Sequence, residues 1–293
     1  MTARVLVIGD VMTDITVAMG GPIAMGSDRR ATIRVQPGGS AATQAVWLAR
    51  QGVSVDFVGR VGAADHAAQS ALLAREGVTP HLGSDARFET GRLIALVEPS
   101  GERSFLTDRG ANDALELADA PDALIDSADH VHISGYALFA ESPRATAVSV
   151  IRRARGKPVS VDPGSAGFLR EVGAVAFLDW IAGAGMLFPN SEEAETLAGS
   201  ADPAVQRAVL TRRFPLVVVK RGATGAEVWR GDEVFRAAAP AVRAVDTTGA
   251  GDAFAAAFLA ARLGGETLQG CLEQAVAAGS AAVGFWGARP AEP

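Results

Sequence analysis

Along the chain, short apolar runs alternate with longer stretches of helical period. RVLVIGD (4–10) is apolar and ends in Gly-Asp, as a strand buried on both faces would. Helical spacing then runs from Ser40 through Trp47 and Leu48, strand pattern over VDFVGRVG (55–62), and helix again from Asp65 to Gly77. From residue 130 the alternation is regular: strand 130–135, helix 143–155, strand 158–164, helical stretches over 166–183, strand 186–190, helices 191–199 and 203–213, strand 216–222. A hairpin centred on Arg230-Gly231-Asp232 and two helices, about 250–263 and 267–285, complete the chain. Repeated β-α units predict a mainly parallel sheet with helices on both faces, an α/β fold.

Two segments break this rhythm. Residues 11–37 are Gly-rich and polar, with one alternating stretch from Ala31 to Gln36. Residues 91–112 carry two strand patterns flanking Pro99-Ser100-Gly101-Glu102, a turn signal. Paired, these strands predict a small sheet standing off the body as a lid. The expected division is therefore 1–10, 38–87 and 113–293 for the α/β domain, and 11–37 and 88–112 for the lid.

Composition narrows the function classes. The 293 residues are 48% hydrophobic and 20% charged, globular values with room for a sizeable core. The net charge is −6 with Lys and Arg dispersed, which argues against a nucleic-acid partner. Neither a signal-peptide pattern nor an apolar run long enough to span a membrane is seen, and Cys271 is the lone cysteine, so a cytoplasmic protein is expected.

The stretch DTTGAGDAF (246–254) holds the most chemistry. Gly249, Ala250 and Gly251 open a helix, where free backbone N–H groups and the helix dipole favour an anion and small side chains let a phosphate approach. Asp252, in the first turn, would repel a bound phosphate, but makes sense as acceptor of a proton from an attacking hydroxyl. A helix start with a favourable acid is the structural alternative. No GxxxxGK[ST] loop and no complete GxGxxG occur.

Four further stretches end predicted strands. Gly38-Gly39 leads into a helix; Asp10 and Asp14 follow the first strand, where α/β folds bind ligands, and are candidates for substrate hydroxyls or ordinary caps. Asn190 reads as a helix cap, while Glu193 could orient water on Mg²⁺. In VKRGATGAEV (219–228), Gly222 and Gly225 allow a flat ligand close to the backbone, or form a plain turn. The four histidines form no metal set; His130 and His132 share a strand face and are read as packing residues.

In this order the stretches resemble the ribokinase-like (PfkB) family of carbohydrate and nucleoside kinases over nearly the whole chain. PGGSAATQA followed by GRVGAADHA resembles its N-terminal signature, and DTTGAGDAFAAAF its C-terminal one. The resemblance implies a three-layer α/β/α domain with a small β-sheet lid. It implies ATP-dependent phosphorylation of a hydroxymethyl group on a small sugar, with Asp252 as base and the N–H groups of 249–252 as anion hole. Asp14, Gly38, Gly39 and Thr43 would bind substrate. Asn190, Lys220, Gly222, Gly225 and Ala278 would serve ATP, with adenine near Ala275 to Gly279. Glu193 would act on Mg²⁺ through water, and Asp246 and Thr248 would hold a monovalent cation, typically K⁺. Thr43 departs from the Asn common at its position, so recognition of a ribose would differ; GAADHAA also lacks a glycine usual after Asp65, and neither change touches the transfer chemistry. A nucleoside acceptor, using Phe88, Phe105 or Tyr136 against its base, and a catalytically silent ligand-binding protein are the alternatives. The outer face of the lid could pair two subunits as a homodimer.

Overall fold

The computed structural model describes residues 2–23, 25–98, 100 and 103–290. Its elements begin with β1 (Arg4–Ile8), β2 (Met12–Met19), β3 (Ala31–Gly38), α1 (Ser40–Arg50), β4 (Ser54–Gly62), α2 (His66–Arg75) and β5 (Val78–Asp85). There follow β6 (Gly91–Val97), β7 (Arg103–Asp108), α3 (Asp122–Ser127), β8 (His130–Ser134), α4 (Glu141–Arg153) and β9 (Val159–Asp162). The last third holds α5 (Ala166–Val172), α6 (Ala174–Trp180), β10 (Met186–Leu187), α7 (Ser191–Ala198), α8 (Pro203–Leu210), β11 (Leu216–Lys220), β12 (Ala226–Arg230), β13 (Glu233–Ala237), α9 (Ala250–Leu263) and α10 (Leu268–Ala282).

The main sheet has nine strands in the order β13-β12-β11-β10-β9-β8-β1-β4-β5. Every pair from β11 to β5 is parallel, and β12 and β13 add an antiparallel edge. Two apolar cores explain the continuous hydrophobic runs. Val5, Val7 and Val218 face one core with α1, α9 and α10; Leu6, Ile8, Val217 and Val219 face the other with α4. A strand covered on both sides needs apolar residues at consecutive positions. Among the described residues, no helix is long and apolar enough to cross a membrane.

The off-body strands form a second sheet, ordered β3-β2-β6-β7. Here the fold corrects the expectation. The predicted strand at 31–36 does not meet the 91–108 pair, because β2 lies between them, antiparallel to β3 and parallel to β6. MTDITVAM alternates, yet the glycines at 20, 21 and 26 gave the whole segment a loop-like composition. The predicted turn at 99–102 lies outside the described residues except for Ser100. β5 is also additional: Pro80 and Gly83 weaken its strand pattern, but it pairs in full register with β4 at the sheet edge, where proline is tolerated.

Pleating gives the small sheet two distinct faces. Gln36, Asp14, Leu93 and Thr107 share one face, in register across all four strands. Val35, Ile15, Ile94 and Leu106 share the other, flanked by Ile33, Val17 and Leu96. Val35 is 65% exposed and Ile33 63%, so the second face is an apolar surface open to solvent.

Candidate active site

The candidate residues gather at the carboxyl ends of the parallel strands. Asp10 follows β1, Asp162 ends β9, Asn190 bridges to Lys220 just beyond β10, and Lys220 ends β11. This is the crevice in which open α/β sheets bind ligands. α9 starts there too. Its N-cap, Gly249, has φ 76°, and a Cβ there would lie 2.4 Å from the Ala288 carbonyl oxygen, so only glycine permits this approach. The turn leaves the first N–H groups of α9 facing the crevice, with Asp252 in its first turn.

Asp252 is held from the opposite helix. The Ser40 hydroxyl donates to its Oδ1 at 2.7 Å. Burial pushes its pKa well above the ordinary carboxylate range; the Ser40 bond and Lys220 oppose that rise, and Asp162 and Asp10 add to it. Ser40 is in turn fixed by Asp10, whose Oδ2 accepts from the Ser40 N–H and whose Oδ1 accepts from the Ala41 N–H, both at 3.1 Å. Of its two sequence readings, cap or ligand, Asp10 is therefore a cap for α1.

Asp14 is placed differently. It sits on the small-sheet face that carries Gln36, against the glycine pair: a Cβ on Gly38 would lie 2.1 Å from its Cγ. Gly39, at φ 91°, abuts the Asp10 carbonyl. Burial, then the neighbouring Asp10, push the Asp14 carboxyl up to about 7, with Arg289 pulling the other way. Thr43 is fully buried in α1, and its hydroxyl has no hydrogen-bond partner.

Asn190 and Glu193 form a reciprocal capping box on α7. The Glu193 N–H donates to Asn190 Oδ1 at 2.9 Å, and the Asn190 N–H donates to Glu193 Oε2 at 2.8 Å. The cap reading of Asn190 thus holds. Glu193 is only 2% exposed; burial drives its pKa up to about 7 against the pull of Lys220.

Lys220 donates to Asp162 Oδ2 at 2.7 Å. Burial lowers its pKa, but Asp162, Glu193 and Asp252 outweigh that and leave it raised, so it is a cation at neutral pH. It also stands against the glycine turn, with Nζ 3.6 Å from where a Gly251 Cβ would be. Behind the pair runs a buried polar chain that the sequence reading treated as packing. Gln44 donates to Asp162 Oδ2 at 3.4 Å and meets His132 Nε2 through Oε1 at 2.8 Å. His132 Nδ1 and His130 Nε2 both meet Ser160 Oγ at 2.7 Å. Because Gln44 Oε1 can only accept, His132 donates from Nε2, and its Nδ1 accepts from Ser160, which accepts from His130. Burial holds the two histidines at about 4 and about 3, neutral at physiological pH. Ser40, Asp162 and Gln44 were missed because a lone polar residue at a strand end or helix start carries no spacing signal.

A cleft of about 670 Å³ opens beside Lys220. Gly222, Gly225 and the 239–244 segment form one wall, and Val276, Gly279, Ser280 and Val283 of α10 the other. Ala250 and Gly251 border it. Ala278 does not line the cleft, since a helical step of about 100° per residue turns it off the 276-279-280-283 face. Ala275 is buried in the core.

In the 246–249 loop, Asp246 Oδ1 accepts from the Thr248 N–H and hydroxyl, and Oδ2 from the Gly287 N–H. Among the described residues no group of three or more His, Cys, Asp or Glu could hold a metal ion. Of the aromatic residues, Phe88 is 49% exposed with Arg87 over its ring, and Phe105 is 54% exposed. Tyr136 is packed between Phe139 and Phe168 at centroid distances of 6.2 and 6.1 Å, with the Arg109 guanidinium 5.2 Å over its face.

Compared with known proteins, the profile of the pfkB family of carbohydrate kinases matches residues 2–293. The chain is 34% identical to an ATP-dependent ribose-1-phosphate kinase of Halopiger xanaduensis, over 98% of this chain and 94% of that one. It is 30% identical to the ribokinase of Bacillus subtilis, over 99% and 96%. Among solved structures, adenosine kinase from Sinorhizobium meliloti superposes with a TM-score of 0.88 at 25% identity, covering 99% of this chain and 96% of that one. A fold neighbour from E. coli, with a TM-score of 0.87 at 23% identity over 98% and 94%, was solved with ATP and Mg²⁺.

Proposed function

The chain belongs to the pfkB family of carbohydrate kinases, and from that premise we propose that it transfers the γ-phosphate of ATP to a hydroxymethyl group of a small sugar or sugar-like acceptor, with Asp252 as base. The observation that carries this reading is the convergence of an acid, a helix start and a buried cation on one point: Asp252, the 249–251 turn and Lys220.

The nucleotide is assigned to the 670 Å³ cleft, a volume within the usual range for such ligands. Its phosphates would meet Lys220 and the N–H groups of the α9 start. Charge gathering on the transferred group then faces fixed donors that need no reorganisation at the moment of reaction. Asp252 would take the hydroxyl proton. An ordinary carboxylate is a weak base toward an alcohol; burial strengthens Asp252, and the proton moves late, as the bond to phosphorus forms.

Mg²⁺ fits the donor set through Glu193, a buried carboxylate whose Oε2 is committed to the cap while Oε1 accepts no hydrogen bond among the described residues. Bound with the nucleotide, the ion would neutralise phosphate charge. Glu193 would hold one of its waters. Asp246 and Thr248 would hold a monovalent cation such as K⁺ beside the anion hole. Asp14, with Gly38 and Gly39, would grip acceptor hydroxyls, and the small sheet that carries Asp14 would cover the site as a lid. Its opposite, apolar face would meet a second copy of the chain. A nucleoside acceptor is less well served, because the Tyr136 face that a base would stack on is covered by Arg109.

The decisive experiment is ADP release by Asp252→Ala and Asp252→Asn across a panel of sugars. Loss of a positioned base predicts a fall of about 10²–10⁴ in kcat with ATP binding retained. Turnover within tenfold of wild type in either variant refutes the assignment.

A further inference from the structure

Two cations near the acceptor side of the crevice are not used by the proposed reaction: Arg289, which donates to the Gly38 carbonyl at 3.1 Å beside Asp14, and Arg109. Arg109 follows β7, at the root of the small sheet, and its side chain is only 14% exposed. Its contacts are all long: Nη1 is 3.5 Å from Asp10 Oδ2, Nη2 is 3.3 Å from the Tyr136 carbonyl, and Nε is 3.6 Å from Asp113 Oδ1. A guanidinium bonded to an ion at full strength sits at about 2.7–2.9 Å. The flanking carboxylates are poor competitors for it. Both Asp10 oxygens already cap α1, and Asp113 is 46% exposed, where water screens it.

The guanidinium is nonetheless held firmly. It lies over the Tyr136 ring, which is wedged by Phe139 and Phe168 and by Gly164, where a Cβ would come within 2.9 Å of the ring. The position is also close to the chemistry: Arg109 touches Asp10, Asp10 caps Ser40, and Ser40 donates to Asp252. A preset, desolvated fork whose donors are only weakly engaged suits an oxyanion, and its planar edge suits two oxygens at once.

We infer that Arg109 selects an acceptor carrying an anionic group, a phosphate ester or a carboxylate, remote from the hydroxyl that is phosphorylated. This rests on the kinase reading and sharpens its acceptor class. The anion lies on the crevice side of Arg109. The other side opens on a cavity of about 140 Å³ edged by Asp113 and Glu171, the wrong sign for it.

Matched acceptor pairs test this with the whole enzyme: ribose against ribose 1-phosphate, fructose against fructose 1-phosphate, and a ketodeoxy sugar acid against its uncharged alcohol. The two charged arms separate phosphate from carboxylate. Wild type is expected to favour one class of charged acceptor by tenfold to a hundredfold in kcat/KM, the range of a charge-assisted hydrogen bond. In Arg109→Gln that ratio should collapse to below threefold, and in Arg109→Lys it should be intermediate. Equal use of charged and neutral partners by wild type, or an unchanged ratio in Arg109→Gln, overturns the inference while leaving the kinase reading intact. If no acceptor is turned over, the kinase reading is in trouble, and calorimetric binding of the same pairs still decides the point: tighter binding of the charged member supports Arg109, and equal binding refutes it. Should both variants fail to fold, the wild-type ratio alone decides.

Discussion

Asp14→Asn should make the ligand-free protein more stable above neutral pH. In the fold Asp14 titrates near 7, where an unfolded aspartate titrates near 4. The folded state therefore binds more protons between those values, and the stability from this group falls as pH rises through the window. A difference of about three units sets a ceiling of about 4 kcal/mol at pH 8, from 1.36 kcal/mol per unit. Relaxation and partial solvent access reduce the realised gain to about 1–2 kcal/mol. At roughly 2–4 °C per kcal/mol for a chain of this size, the melting temperature should rise by about 2–8 °C. Thermal melts of wild type and variant at pH 5, 6, 7 and 8 measure it. The advantage of Asp14→Asn should be smallest at pH 5, grow through pH 7 and level off near pH 8. A variant no more stable than wild type at pH 8, or an advantage that does not grow with pH, refutes the reasoning. The same substitution should raise KM for the acceptor at least tenfold, the mark of a charge kept for binding at a cost in stability.

Ser40→Ala removes the hydrogen bond that holds the Asp252 pKa down, so the acidic limb of kcat/KM against pH should move to higher pH; an unmoved limb would separate Asp252 from that limb. Arg60 joins Asp85, Glu116 and Asp119, and Asp85, held well below the usual carboxylate range by the Arg87 backbone N–H and other donors, is nearly fully buried. Arg60→Ala should cost about 3–5 kcal/mol in a denaturant titration with kcat preserved in the folded fraction, and a loss below 1 kcal/mol would show the cluster to be loosely coupled. Val35→Glu should shift the species seen by analytical ultracentrifugation toward monomer if the open apolar face pairs two copies; identical sedimentation at all concentrations counts against that pairing.

The parallel core was legible because period and punctuation agreed there. Strands at 4–8, 54–62 and 130–134 and the closing helices fall where apolar runs and glycine turns put them. What escaped was set by partners distant in sequence. β2 gains its identity from β3 and β6, and β5 from pairing with β4 despite Pro80. At the site, the DTTGAGD stretch announced itself through backbone chemistry that needs adjacent small residues. Asp162 and Arg109 did not, for their meaning lies in what they touch across 58 and 27 positions: Lys220 for one, Tyr136 for the other. Asp10 shows the converse. Its position at a strand end suggested a ligand or a cap equally, and only the two N–H groups of α1 decide for the cap.

The chain from His130 through Ser160, His132 and Gln44 to Asp162 carries a consequence for how this protein can vary. Every hydrogen bond in it points one way, from His130 toward the accepting Asp162, so exchanging any one member alone strands a donor or an acceptor in the interior. Such positions are coupled as a unit. Among descendants of this sequence they should therefore be inherited as a set or replaced as a set, and a single histidine exchanged for an apolar residue should appear only where Ser160 has changed with it. Co-inheritance of five positions spread over two strands, a helix and 119 residues of chain would be the historical trace of a hydrogen-bond direction.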